Sequence, residues 1–320
     1  MKASVTTNAL LAAKFAVAGF LLWWLSRSQD LAWSTVGIFA SQPLLLALNC
    51  IVIALGVIAG ALRWRMLLTV AQVNLAPSKA SALQLMGLFF NIAVPGNIGG
   101  DALKAIYVAR SEPQHKRADI YAVGLLDRAI GLASLATCAL ISTLIPGAPL
   151  GIVSQTLWVL AGTTAVGAMV MLFGVRLAAA RWQHTRRWQT IAAHGRLIAS
   201  APRTLLYAFI IALGMHALGM TLFVALAHYL GGTGGTPLDI ARVYPIGMLS
   251  LALPISYAGI GTGHAAFSRL FALIGATGGA NVFNLFLIGQ SLPCLLGVIP
   301  YVAMRSTQGS LSPEHVPTHK

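Results

Sequence analysis

Seven acidic residues serve a chain of 320, so the place of each one says where ionic chemistry can occur. Asp30, Asp239 and Glu314 fit connections or the tail, and Glu112 and Asp119 flank a polar connection. Asp101 and Asp127 remain, both within apolar surroundings. Asp101 follows Gly99-Gly100 and opens a helical stretch, so its carboxylate can cap that helix or line a cavity and orient a cation such as Lys104, one turn along. The two glycines permit a positive φ and a close backbone approach. A helix start in a dry cavity attracts phosphate, but a carboxylate already there resists a bare anion and favours a shared charged network. Asp127 and Arg128 lie inside the apolar run Tyr121 to Leu144, about two to three turns from its start. Charges at such depth are costly unless paired or hydrated, which makes them functional candidates. Neighbours on a helix point about 100° apart, so each needs a partner on another element, in a structural ion pair or toward a substrate.

Arg63 and Arg65, in the string RWRML at 63–67, fit the end of a span, where they snorkel to the interface beside Trp64. Arg65 also lies near the mouth of the Asp101 segment. If Arg65, Lys104 and Arg128 meet Asp101 and Asp127, three cations and two carboxylates leave one positive charge over, suited to a phosphate-bearing ligand. Asn91, Pro95, Gly99, Gly100, Ser256 and His264 complete the expected substrate-binding set. His264 begins the helix after a second interruption and can change charge with pH, whereas His216 and His228 fit single packed histidines. No HExxH or other metal-ligand spacing occurs, so neither a metal nor a cofactor is expected. Ser256 has no GxSxG elbow and no triad partner, the GIGTG run at 259–263 follows no strand, and no catalytic residue is assigned. Cys50, Cys138 and Cys294 are far apart without CxxC spacing and read as packing residues.

These residues need elements to position them, and the composition says which kind. The chain is 57% hydrophobic and 9% charged, with a mean hydropathy of +0.79, which excludes an ordinary soluble domain. The first apolar run, Leu10 to Leu25, lacks a small-x-small cleavage site after Trp23-Trp24 and reads as an uncleaved membrane helix. Spans of about twenty apolar residues are expected near 8–26, 43–62, 118–145, 152–175, 204–230 and 281–304. Two further stretches are short and broken. Ala80 to Val94 ends at Pro95-Gly96 and resumes at Asp101; Ile240 to Leu253 ends at Pro254 and resumes near Thr262. Both suit re-entrant pairs of half-helices. The expected fold is therefore an all-α integral membrane protein, with about six full transmembrane helices and two re-entrant broken-helix segments in an inverted repeat. Residues 1–304 form one polytopic domain, with half-repeats near 43–145 and 204–304, a basic linker at 176–203 and a short tail at 305–320.

The formal charge of +14 does not imply nucleic acid. Arg176, Arg181, Arg186, Arg187, Arg196 and Arg203 crowd one linker, as in a cytoplasmic loop, and the same loop can hold anionic headgroups. Alternation then places Lys2, Arg63, Arg65, Lys79, Lys104, Arg110, Lys116, Arg117 and Arg305 on the inner side, with both termini cytoplasmic. The outer connections at 146–151 and 231–239 carry no Lys or Arg. The broken segments then enter from opposite faces. LFFNIAVPGNIGGDAL and MLSLALPISYAGIGTGHAAF also look alike, as in transporters that alternate access to a central site, although Gly/Pro punctuation alone can produce the likeness.

RWRML at 63–67, PGNIGGDALK at 95–104, LLDRAIGL at 125–132 and LPISYAGIG at 253–261, in that order, resemble the flippase-like transmembrane domain of lysylphosphatidylglycerol synthases and its stand-alone relatives, including hopanoid-transport-associated proteins. The resemblance implies a multi-pass protein of the bacterial inner membrane that moves a polar lipid headgroup between leaflets. In two-domain relatives a soluble aminoacyl-transferase domain makes the lipid; no such domain follows Arg305 here, so synthesis of a lysyl-lipid by this chain is not expected. Two departures bear on the substrate. Lys104 stands where relatives usually carry Arg, which loses bidentate phosphate recognition, and Gly263-His264 replaces an Arg-Glu pair after the second break. The alternatives to lipid transport are a membrane-embedded lipid-modifying enzyme, with Asp101 or His264 as general base, and a non-transporting partner of an envelope lipid-biosynthesis enzyme docked on the basic linker.

Overall fold

The computed structural model describes residues 37–39, 41–93, 99–147, 150–151, 153–158, 201–231, 234–251 and 261–309. The expected span at 8–26, most of that at 152–175, the linker up to residue 200, Pro95, Pro254 and Ser256 lie outside them.

Proline opens four of the helices: α1 (Pro43–Val70), α2 (Pro77–Ala93), α5 (Pro202–Leu230) and α6 (Pro237–Ser250). Its missing N–H falls where a helix has no acceptor to offer, and its fixed φ already suits the first turn. The other helices are α3 (Gly99–Ser111), α4 (Arg117–Leu144, preceded by a 3₁₀ turn at Gln114–Lys116), α7 (Thr262–Leu273), α8 (Gly279–Cys294) and α9 (Val298–Gly309). Four stretches are long and apolar enough to cross a bilayer, namely Pro43–Val70, Gln114–Leu144, Pro202–Leu230 and Gly279–Met304. With no strand among the described residues, this is an all-α membrane protein. The expected breaks at Pro95-Gly96 and Pro254 lie between α2 and α3 and between α6 and α7, outside the described residues. One boundary differs from expectation. The second span does not stop near Leu62 but continues to Val70, because Leu67, Leu68 and Val70 are buried against neighbouring helices.

α1, α4 and α5 pack on one another. α2 and α3 fold together and lie on α1 and α4, while α6 and α7 fold together and lie against α4, α5 and α8. Lipid tails are as apolar as leucine, so close packing rather than the hydrophobic effect decides such contacts. Gly100 shows how close: a Cβ there would sit 1.8 Å from the Gly87 carbonyl oxygen. Gly100 is thus present for backbone approach between α2 and α3, and its φ is not positive. On the other side an aromatic group takes over. Phe223 meets Phe267 at 4.7 Å between ring centroids, and Phe267 stacks on Phe283 at 5.1 Å. The outer face of α1, with Ile51, Leu55, Ile58 and Leu62 at helical spacing, remains exposed for lipid.

Polar clasps fix the two ends of α4. Before its start, Lys116 Nζ donates to the Gln72 carbonyl at 2.9 Å, so the α1–α2 connection lies beside the α3–α4 connection. In its last turn the Ser142 carbonyl accepts from Arg242 Nε at 3.1 Å, which brings the start of α6 alongside. Asp239, expected in a connection, belongs instead to the first turn of α6. Its backbone N–H is capped by Thr236 Oγ1 at 3.1 Å and its carboxylate accepts from Arg242 at 3.1 Å.

Candidate functional site: a charged cavity between the helices

Arg63 is the first residue to place. Positions two apart on a helix point about 200° apart, so Arg63 and Arg65 cannot serve the same neighbour. Arg65 Nε donates to the Leu75 carbonyl at 2.7 Å and closes the turn after α1. Arg63 faces inward, where its Nε meets Asp127 Oδ1 of α4 at 2.7 Å. Arg65 was expected to supply the third cation of the network, and Arg63 occupies that place. The longer α1 carries both arginines inside the helix, so helix phase, not proximity to the span end, decides which one reaches the interior.

From Asp127 the ionic contacts continue in one line. Asp127 Oδ2 lies 3.9 Å from Lys104 Nζ, Lys104 Nζ lies 3.1 Å from Asp101 Oδ1, and Asp101 Oδ2 accepts from Arg128 Nη1 at 3.2 Å. The result is a ladder of alternating sign, Arg63–Asp127–Lys104–Asp101–Arg128, that ties α1, α3 and α4 together. Three cations against two carboxylates leave one positive charge over. Lys104 is its hub. Its side chain is 3% exposed, donates to Gln84 Oε1 of α2 at 2.9 Å, and places its ammonium 5.3 Å from the centroid of a Trp64 ring. A compact ammonium with three donors suits two carboxylates and an amide arriving from different directions; a planar guanidinium fits paired acceptors better.

Burial grades the ladder from structure to surface. The Asp127 side chain is 6% exposed, whereas those of Asp101 and Arg128 are 26% and 25% exposed. Buried pairs of this kind add little net stability but are costly to break, so the Arg63–Asp127–Lys104 end holds helices together. The Asp101–Arg128 end opens on the interior. There the side chains border a cavity of about 490 Å³ whose lining includes all five ladder residues, Gln84, Asn91 and His216, together with Met248, Leu251, Phe283 and Phe286. A cavity of that size takes a small polar group and adjoining apolar chain.

The start of α3 is not capped by Asp101. The Gly100 N–H donates to Asn91 Oδ1 of α2 at 2.8 Å, and Asp101 sits inside the first turn with its carboxylate turned to Lys104 and Arg128. Capping from the partner half-helix frees the acid for the ladder. His264 is placed apart from the charged group: its Nδ1 accepts from the Gly261 N–H at 3.3 Å, closing the start of α7 where Gly261 has φ 81°, and its ring stands edge-on to Phe283 at 5.0 Å. His264 therefore backs a cavity wall and does not join the ionic line. Of the expected site residues, the structure brings Asn91, Asp101, Lys104, Asp127 and Arg128 to the cavity. Gly100 shapes the helix pair behind them, and Pro95 and Ser256 lie outside the described residues.

Sequence reasoning passed over Gln84, Tyr244 and the cavity position of His216, whose Nε2 lies 3.1 Å from both the Gly131 carbonyl and Ser134 Oγ. Gln84 had a signal: a polar amide in an apolar half-helix, three residues before Gly87, on the side that faces Lys104. Arg63 had one as well, since Gly60 precedes it at helical spacing and marks a closely packed face, where a Cβ would lie 2.7 Å from Gln84 Nε2. Among the described residues no group of three or more His, Cys, Asp or Glu side chains converges.

No curated protein and no solved structure matches the chain. A family model described as the lysylphosphatidylglycerol synthase TM region matches residues 11–288, which takes in the cavity lining apart from Gln290, Ser291 and Cys294 at the end of α8. The chain is a member of that family, a multi-pass membrane protein related to lipid synthesis or transport.

Proposed function

We propose that the protein transports a lipid, moving a polar, phosphate-bearing headgroup between the leaflets of a bacterial inner membrane through the cavity while the tails stay in the bilayer. The barrier to unaided flip is the burial of a charged headgroup in hydrocarbon. The observation that carries the reading is the join, in one cavity, of a ladder with a surplus positive charge and an apolar aromatic wall. Arg128 at the exposed end can exchange its contact with Asp101 for a phosphate oxygen, while Asp101 keeps Lys104.

The same proposal reads the broken segments as re-entrant and inverted. What supports it is the pair of clasps on α4, with the beginning of α2 and the end of α3 near its start and the beginning of α6 near its last turn. On this reading the basic connections are cytoplasmic, as are both termini, and the protein returns its lipid chemically unchanged, without acting as an enzyme. The test is leaflet exchange in liposomes holding the purified protein, with a headgroup-labelled anionic phospholipid and product analysis by mass spectrometry. Wild-type protein accelerates exchange of an unmodified lipid, and Arg128→Ala slows it. A modified product, or normal exchange by folded Arg128→Ala protein, overturns the proposal.

A further inference from the structure

A second polar group opens on the cavity, far from the ladder in sequence. Tyr244 of α6 is 4% exposed and borders the cavity together with Gly219 of α5 and Phe286 of α8. Its ring is held by Phe223 at 5.3 Å and Phe286 at 5.8 Å. A methyl group on Gly219 would lie 2.3 Å from the hydroxyl oxygen, so the missing side chain on α5 is what gives the hydroxyl its place. No hydrogen bond to it is found among the described residues, and it is not one of the buried atoms shut off from the cavity, so the hydroxyl opens on the cavity. Buried tyrosines usually find a partner for the hydroxyl. Here a group that enters the cavity can supply it, and a phenylalanine with the same ring contacts could not meet that group.

We infer that Tyr244 is a specificity-determining residue that recognises an uncharged hydroxyl group on the lipid headgroup, beyond the phosphate held at Arg128; the inference rests on the lipid reading above. A phenol both donates and accepts, as a hydroxyl does. The cavity lining contributed by α6 and α8 offers Tyr244, Phe283, Phe286, Gln290 and Ser291 but no charge. A polyol phosphodiester matches both ends: one negative charge for the surplus positive charge, and hydroxyls for the opposite wall.

The test is binding of phosphatidylglycerol and phosphatidylpropanol to the purified full chain in nanodiscs. The two phosphodiesters carry the same charge and differ in headgroup hydroxyls. Wild-type protein binds phosphatidylglycerol roughly tenfold more tightly, the effect expected of one well-placed hydrogen bond. Tyr244→Phe binds both lipids with the wild-type affinity for phosphatidylpropanol, and Gly219→Ala, which crowds the hydroxyl, loses the preference as well. Arg128→Ala weakens both lipids and keeps their ratio. Equal binding of the two lipids by wild-type protein, or an unchanged ratio in Tyr244→Phe, overturns the role of Tyr244 alone. Failure of wild-type protein to bind either lipid overturns the lipid reading and this inference with it.

Discussion

Replacing Asp127 by asparagine keeps the shape of the side chain and removes the charge that the buried Lys104 and the partly buried Arg63 share. Arg63 Nε lies 2.7 Å and Lys104 Nζ 3.9 Å from its oxygens. At an effective dielectric near 20 the gross attractions are about 6 and about 4 kcal/mol, most of which desolvation cancels in the intact network. Asp127→Asn loses the attraction yet keeps both cations out of water, and the ladder surplus rises from one positive charge to two. The expected destabilisation is about 3–5 kcal/mol. Arg63→Met alone strands part of the Asp127 charge and costs about 3 kcal/mol on the same grounds. Both changes together leave no unpaired charge at that end, so the double variant is less destabilised than the sum of the two by at least about 2 kcal/mol. By contrast Arg128→Ala, at the quarter-exposed end, costs about 1 kcal/mol or less. Reversible unfolding of purified protein in mixed micelles, titrated with denaturing detergent, gives all four values. Additive costs, or an Asp127→Asn penalty no larger than that of Arg128→Ala, would refute the division of the ladder into a holding end and an exposed end.

Further substitutions probe the supports of the site. Asn91→Ala leaves the Gly100 N–H without its acceptor and lowers stability by about 1 kcal/mol, measured in the same titration. Gly100→Ala forces α2 and α3 apart, since its methyl would overlap the Gly87 carbonyl, and the penalty lies at or above about 3 kcal/mol; a sharp fall in the yield of folded protein reports it. Arg65→Ala removes the contact to the Leu75 carbonyl, costs about 1 kcal/mol and leaves lipid binding unchanged, because Arg65 stands away from the cavity.

Much of the architecture was readable because the sequence uses its exceptions sparingly. The scarcity of acids made Asp101 and Asp127 conspicuous. The requirement that Asp127 and Arg128 find separate partners followed from helix geometry alone, and α1 and α3 supply them. What was not readable depended on phase and on the folding of one half-helix onto another. Arg63 and Arg65 differ only in which way a helix of unforeseen length turns them. Asn91 caps α3 because α2 folds back on it, a relation that local capping rules do not contain, and that is why Asp101 is free for the ladder. His264 pairs with its own helix start and with Phe283, so its likeness in position to Asp101 does not extend to its contacts. Tyr244 gave no signal, since a tyrosine in an apolar helix is ordinary until the space beside Gly219 is known.

The account stands on a cavity whose surplus positive charge is presented at Arg128. Native mass spectrometry of the protein released from gentle detergent measures its occupancy directly. Wild-type protein should retain a stoichiometric anionic phospholipid, and Arg128→Ala, equally folded, should lose most of it. Wild-type protein without bound lipid, or an Arg128→Ala variant carrying as much as the wild type, would contradict the account.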